Sequence, residues 1–183
     1  MRVLGFTGMP GSGKSEAMEV AKTRGFPVVR MGDLIWDEVA RQGLPRDPAN
    51  VGRVATAMRQ MHGPDIWSQR TVDRVRQVAV GARLVLIDGI RSNAEVETFR
   101  RELGSEFTLV AIHTDPGHRF ERMVRRARAD DHTDVKGLQE RDTREMSWGI
   151  AQTIALADEM LVNDTTLDVF RAKVASLLDR LAR

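Results

Sequence analysis

The sequence predicts an α/β fold, a three-layer sandwich in which helices cover both faces of a five-stranded parallel sheet. Short apolar runs alternate along the 183 residues with longer segments of helical periodicity. The short runs contain few polar residues, which is typical of parallel strands buried on both faces. The five predicted strands lie at residues 3–7, 27–31, 83–88, 107–113 and 160–162.

The segments between these strands show the apolar spacing of amphipathic helices. Helices are predicted near residues 14–24, 34–42, 51–62, 65–80 and 92–103, and again from residues 116 and 167 onward. Ser92 and Glu95 match a capping box at the start of the fifth helix. The predicted apolar face of the third helix comprises Val51, Val54, Ala55, Met58 and Met61. That of the last helix comprises Leu167, Phe170, Val174, Leu177, Leu178 and Leu181.

Composition narrows the possible functions. Because the chain has no cysteine, it can form neither disulfides nor a cysteine-ligated zinc site. No apolar run approaches the roughly 20 residues that span a bilayer, and no signal-peptide pattern is present. With 28 Lys and Arg against 26 Asp and Glu, and 5% aromatic residues, a nucleic-acid partner is not favoured. We expect one cytoplasmic domain of residues 1–183, without a membrane partner.

The most specific motif follows the first predicted strand. Residues 8–15 fit G-x-x-x-x-G-K-[ST] without a mismatch, with Gly8, Met9, Pro10, Gly11, Ser12, Gly13, Lys14 and Ser15. Such glycines let backbone N–H groups turn toward a phosphate, and the helix that starts near Gly13 adds the positive end of its dipole. Lys14 can reach the β- and γ-phosphates of ATP, and the Ser15 hydroxyl can ligate Mg²⁺. A glycine-rich turn without a ligand is the alternative.

An acidic residue ends the third predicted strand. Asp88 lies where ligands gather in sheets of this kind, so it can hold Mg²⁺ or its water. The alternative is that Asp88 only caps the following turn, because Asp-Gly is a common turn pair.

Three further residues are candidates for binding a phosphoryl acceptor. Asp33 follows the second strand and could orient or deprotonate an acceptor hydroxyl, or act as the N-cap of a helix beginning at Leu34. Arg91 lies just past Asp88 and could bind an acceptor phosphate bidentately. Arg59 belongs to the helices that would form an acceptor arm, where an ordinary surface role is the alternative.

Arginines crowd one end of the helix that starts at residue 116. They are Arg119, Arg122, Arg125, Arg126 and Arg128. Arg122 and Arg126 are four residues apart and share a helix face. Above a bound triphosphate, this face would neutralise charge on the transferring group. The alternative is a solvated helix with salt bridges.

Several motifs resemble nucleoside-monophosphate kinases. Gly32-Asp33-Leu34 is similar to the segment that begins the acceptor arm of adenylate kinase, and Asp88-Gly89-Ile90-Arg91 is similar to that enzyme's D-G-F-P-R. The latter resemblance implies that Arg91 binds the acceptor phosphate. The segment from Ala157 to Asp164 looks like the end of dephospho-coenzyme A kinase, which implies that Asn163 lies near the adenine of ATP.

Over nearly its whole length the chain resembles an uncharacterised archaeal family of P-loop nucleotide-kinase-like proteins. The shared segments are at residues 8–16, 31–33, 88–92 and 140–150. The resemblance implies a P-loop NTPase fold with an acceptor arm at about 33–80 and a short lid at about 119–145. Trp36 stands where the adenylate kinase arm usually has an arginine, so Trp36 could instead stack on an acceptor ring or be buried.

The leading hypothesis is an ATP-dependent kinase that transfers the γ-phosphoryl group of MgATP to a nucleotide-like small molecule, either a nucleoside monophosphate or a molecule of the dephospho-coenzyme A type. Two alternatives stay open. One is a nucleotide-dependent switch or NTPase without a small acceptor, and the other is a kinase of nucleic-acid 5′ ends or modified bases. The sequence does not define the acceptor, the donor base or the oligomeric state.

Overall fold

The computed structural model describes residues 1–126 and 134–182, without the side chains of Pro48 and Arg126. Its sheet has five parallel strands in the order β2-β3-β1-β4-β5. The strands are β1 Arg2–Thr7, β2 Val28–Arg30, β3 Leu84–Asp88, β4 Phe107–His113 and β5 Glu159–Val162. This confirms the α/β class, the strand number and the parallel pairing predicted from the apolar runs.

Helices connect the strands and cover the sheet. They are α1 Lys14–Thr23, α2 Met31–Arg41, α3 Pro48–His62, α4 Ile66–Val78, α5 Asn93–Leu103, α6 Pro116–Arg126, α7 Val135–Ser147, α8 Ile150–Ala155 and α9 Leu167–Leu181. A short 3₁₀ turn at Gly104–Glu106 leads into β4. No helix in the described part of the chain is both long and apolar enough to cross a membrane.

The sheet separates two hydrophobic cores. Successive residues of each central strand point to opposite faces, so Val85 and Ile87 of β3 pack with α2 to α5, whereas Leu84 and Leu86 pack with α1 and α9. Strands buried on both faces explain why the sequence shows continuous apolar runs rather than alternation.

Some predicted boundaries and faces were wrong. α2 begins at Met31 directly after β2, with Arg30 as its N-cap, so Asp33 lies in the first turn and is not the N-cap of a helix beginning at Leu34. Burial of Met31 in the first core stabilises this early start. Met61 is 65% exposed and Leu167 is 47% exposed, because each lies in an end turn that projects beyond the core.

Helices α2 and α4 are joined by a buried carboxylate. Glu38 accepts hydrogen bonds from Arg41, Arg70 and Gln42. The bond from Arg41 and its other partners lower the pKa of Glu38 to about 2. Arg70 is therefore a structural link between the helices at 31–78, the segment in which an acceptor arm is predicted.

The capping box at Ser92 is confirmed. The Ser92 hydroxyl accepts from the Glu95 N–H, and Glu95 Oε2 accepts from the N–H groups of Ser92 and Arg91. Satisfying these first-turn amides holds the turn between β3 and α5 in one conformation. The box thereby positions Arg91 just beyond the end of β3.

Candidate active site

A cleft of about 620 Å³ opens where the carboxyl ends of the strands meet. Its floor is the loop after β1 and the turn after β3, and its walls come from α6, α7 and the segment after β5. The charged side chains that line it are Lys14, Glu16, Asp88, Arg91, Glu121, Arg122, Arg125, Arg141 and Glu145. The parallel topology alone brings these distant parts of the sequence to one edge of the sheet.

The loop at residues 8–15 has the conformation that a phosphate site needs. Gly13 is the N-cap of α1 with φ of 111°, a left-handed geometry that strongly favours glycine. A Cβ atom there would collide with the side chain of Asn163. The N–H groups of Gly11, Gly13, Lys14 and Ser15 make no hydrogen bond within the described part of the chain. Free amides at a helix N-terminus form a ready anion site.

Lys14 is folded back onto this loop. Its Nζ donates to the carbonyl oxygens of Gly8 and Met9. Burial lowers the pKa of Lys14 to about 8, although the nearby carboxylates of Asp88 and Glu145 oppose that shift. A partly buried cation that forms no ion pair within the described residues would gain from a bound polyphosphate.

We therefore expect nucleotide binding to weaken as pH rises through 8. A bound polyphosphate raises the pKa of Lys14, so binding takes up a proton wherever Lys14 is neutral in the free protein. Calorimetry of ATP with EDTA, in buffers of different ionisation enthalpy, should show clearly more proton uptake at pH 9 than at pH 7. Lys14→Ala should abolish the uptake. An uptake independent of pH would contradict this account.

Two buried oxygens of the cleft have no hydrogen-bond partner within the part of the chain that the structure describes. They are the Ser12 hydroxyl and Asp88 Oδ1; the other carboxylate oxygen, Asp88 Oδ2, lies 3.9 Å from Nε of Arg30. Unpaired buried oxygens are rare and often mark the place of a ligand or ion.

The residues present fit Mg²⁺. Asp88 provides a carboxylate oxygen, Ser15 lines the same cleft, and Mg²⁺ is usually held by one or two protein ligands together with substrate phosphates and water. No group of three His, Asp or Glu side chains elsewhere in the described residues forms a metal site. A nucleotide would therefore have to complete the coordination shell.

Arg119 has a structural role. Only 4% exposed, it binds Asp142 of α7 through both Nη groups and donates to the carbonyl oxygen of Pro10 over 3.0 Å. This guanidinium therefore joins α6, α7 and the phosphate-binding loop. Three of its five N–H groups are used in these bonds, which holds its side chain in this structural position.

Arg122 and Asn163 brace the same loop. Asn163 Nδ2 donates to the Ser12 carbonyl oxygen over 2.8 Å. Arg122 Nη2 donates to the backbone oxygen of Asn163 over 3.0 Å, and its Nη1 contacts the Thr114 hydroxyl. Arg122 lines the cleft as predicted. The amide of Asn163 is occupied by the loop, so a role near adenine stays a prediction.

The remaining arginines of α6 divide by position. Arg125 is exposed and lines the cleft, and no ion pair is recorded for it within the described residues. The Arg126 side chain and all of Arg128 lie outside the described residues, as do residues 127–133 of the predicted lid. The part of the predicted lid from residue 135 to 145 belongs to α7, which ends at Ser147 and which the sequence analysis did not predict.

Arg91 is held at the cleft by α7. Its Nε donates to Glu145 Oε2 over 3.0 Å, and its guanidinium carbon lies 5.8 Å from the centre of the Trp148 ring. Its Nη groups have no partner among the residues that the structure describes. This leaves them available for an anionic group.

The other predicted acceptor residues do not line the cleft. Asp33 is exposed on the first turn of α2. Trp36 is partly buried beneath Arg46, whose guanidinium lies 5.2 Å from the ring centre. Arg59 lies 3.6 Å from Glu95. The structure thus brings none of these three residues to the cleft beside Arg91. Their roles in binding an acceptor stay predictions.

Glu145 was missed as a candidate residue of the cleft. Glu145 is 5% exposed yet lines the cleft, and Arg141 lines it one helical turn earlier. Their spacing of four places them on one face of a helix, and that signal was present in the sequence. It was hidden because α7 itself was read as part of an irregular lid.

The glycine loop, the carboxylate at the end of β3 and the strand order together define a P-loop protein of kinase-like fold. An AAA domain family model matches residues 7–139. The chain is 42% identical over 183 residues to a UPF0200 protein of Methanosarcina barkeri, covering all of this chain and 97% of that one. The chain belongs to the UPF0200 family.

Two solved kinases share this fold at much lower sequence identity. A shikimate kinase from Bacteroides thetaiotaomicron superposes with a TM-score of 0.61 and 14% identity, covering 97% of this chain and 98% of that chain. A gluconokinase from Sinorhizobium meliloti gives a TM-score of 0.55 and 17% identity, with 99% and 93% covered. At these identities the likeness establishes the fold alone.

Proposed function

We propose that this protein is an ATP-dependent phosphotransferase that moves the γ-phosphoryl group of MgATP to a nucleotide-like small molecule. The observation that carries the proposal is the set of N–H groups of Gly11, Gly13, Lys14 and Ser15, which have no partner among the described residues and share one cleft with Asp88 Oδ1. Positioning and charge neutralisation are most of what phosphoryl transfer requires of a protein.

Each cleft residue then has a role. The loop amides and Lys14 bind the β- and γ-phosphates. Ser15 and Asp88 hold Mg²⁺, which supplies neutralisation of phosphate charge when bound. Arg122 covers the transferring group, a role that the sequence analysis also gives to Arg126. Arg91 binds an anionic group of the acceptor.

The test is ADP formation by the purified protein with MgATP, with and without acceptors. The probes are AMP, CMP, GMP, UMP and dephospho-coenzyme A. We expect at least one to raise ADP formation about tenfold or more above the acceptor-free rate. ATP hydrolysis that no acceptor accelerates would contradict the proposal and would point to the nucleotide-dependent switch.

A further inference from the structure

Glu145 is a buried carboxylate that faces the phosphate-binding loop across the cleft. Glu145 is 5% exposed and lines the cleft. Within the described residues, its carboxylate accepts one hydrogen bond, from Nε of Arg91 over 3.0 Å. Burying a carboxylate is costly unless charge partners hold it. The charged groups around it in the cleft are Lys14, Asp88, Arg91 and Arg141.

Such a carboxylate discriminates between two kinds of acceptor. The phosphate of a nucleoside monophosphate is already deprotonated near pH 7, because the second pKa of a phosphomonoester is about 6. It needs no base, and a buried carboxylate beside it would repel it. An alcohol keeps its proton until the transition state, so it benefits from a carboxylate that accepts that proton.

The charge of the cleft favours the alcohol as well. Among the described lining residues, five cationic side chains face four carboxylates. MgATP brings about two net negative charges, and a phosphomonoester acceptor would add nearly two more in a site that is almost balanced. A hydroxyl acceptor with a single anionic group, bound by the free Nη groups of Arg91, demands much less neutralisation.

We propose that the acceptor is a hydroxyl-bearing, anionic small molecule and that Glu145 is the catalytic base. This inference rests on the proposed function and narrows its substrate class. The acceptor oxygen forms a bond to the γ-phosphorus, the bond from that phosphorus to the β–γ bridging oxygen breaks, and ADP leaves with that electron pair. The hydroxyl proton goes to Glu145. Asp33, the base considered from the sequence, is exposed and does not line the cleft.

The products formed by the unmodified protein distinguish between the two classes of acceptor. It is incubated with MgATP and two sets of probes, the four nucleoside monophosphates in one and dephospho-coenzyme A, gluconate and shikimate in the other. Phosphorus NMR of the products distinguishes a new phosphomonoester from a new phosphoanhydride. We expect a phosphomonoester. A phosphoanhydride as the principal product would overturn this inference while leaving the kinase proposal standing, and transfer to none of the probes would contradict both.

Variants of α7 then test Glu145 itself. Glu145→Gln should lower kcat by about 10²- to 10⁴-fold and remove the acidic limb of the pH profile of kcat/KM, with ATP affinity unchanged. Glu145→Asp should restore part of the rate. Glu140→Gln, an exposed carboxylate change on the same helix, should retain full activity.

A purely structural role predicts a different pattern. If Glu145 only positioned Arg91, Glu145→Gln would raise the KM for the acceptor and keep the acidic limb. That result, or turnover equal to the wild type, would overturn the assignment of the base. If Glu145→Gln fails to fold, the product analysis of the unmodified protein still decides between hydroxyl and phosphate.

Discussion

Replacing Lys14 by alanine is expected to reduce acceptor-dependent ADP formation by at least about 10²- to 10³-fold. A loss of this size is typical when an enzyme loses one fixed hydrogen-bond donor that stabilises charge in the transition state. Among the described residues, Lys14 Nζ donates only to two carbonyl oxygens of its own loop. Its pKa of about 8 shows that folding disfavours its charged form. The variant should therefore unfold at the same temperature as the wild type or a higher one.

The matched control is Lys22→Ala. Lys22 lies in the last turn of the same helix and pairs with Glu19 at the surface, so its loss removes the same charge from α1 without touching the cleft. Surface pairs of this kind contribute little to stability. If the turnover rate of Lys14→Ala stayed within about tenfold of the wild-type rate, this would contradict the assignment of the loop as the catalytic phosphate site.

Asp88→Asn is also expected to have a large effect on turnover. The change keeps the shape of the side chain but removes the negative charge and turns one oxygen into a nitrogen, which is a poor partner for Mg²⁺. We expect turnover to fall by about 10²-fold and the Mg²⁺ concentration for half-maximal rate to rise. Binding of ATP in the presence of EDTA should not weaken, because a carboxylate near the phosphates has been removed.

The metal-free measurement separates a ligand role from damage to the fold. A general distortion of the cleft would weaken ATP binding with and without Mg²⁺, whereas loss of a metal ligand weakens it only with Mg²⁺. Asp37→Asn, on an exposed part of α2, is the control. Equal Mg²⁺ dependence in Asp88→Asn and the wild type would contradict a ligand role for Asp88.

The sequence predicts those features of the fold that depend on residues close together in the chain, and it predicts less well those that depend on distant residues. The strands, the glycine loop and the capping box at Ser92 depend on neighbours a few residues apart, and all three are found in the structure. The start of α2 depends on burial of Met31 by distant residues. Gly32 also disfavours a helix locally, so the boundary was placed three residues too late.

The residues of the candidate site also fall into those predicted from local patterns and those that only the folded chain brings together. Ser15, Lys14 and Asp88 are recognised from local patterns, because a phosphate loop and a strand-end acid carry their function in their spacing. Arg119 bound to Asp142, Asn163 bound to Ser12 and Glu145 bound to Arg91 join residues 23, 151 and 54 positions apart. No periodicity connects such pairs.

The amino-acid order alone thus predicts the candidate phosphate site, since that site consists of the amides of one short loop and one helix end. The packing of α6 and α7 against that loop decides which arginines and which carboxylates line the cleft beside it. Charge pairs form between whichever groups the fold brings within a few ångströms, and that proximity exists only once the chain is folded.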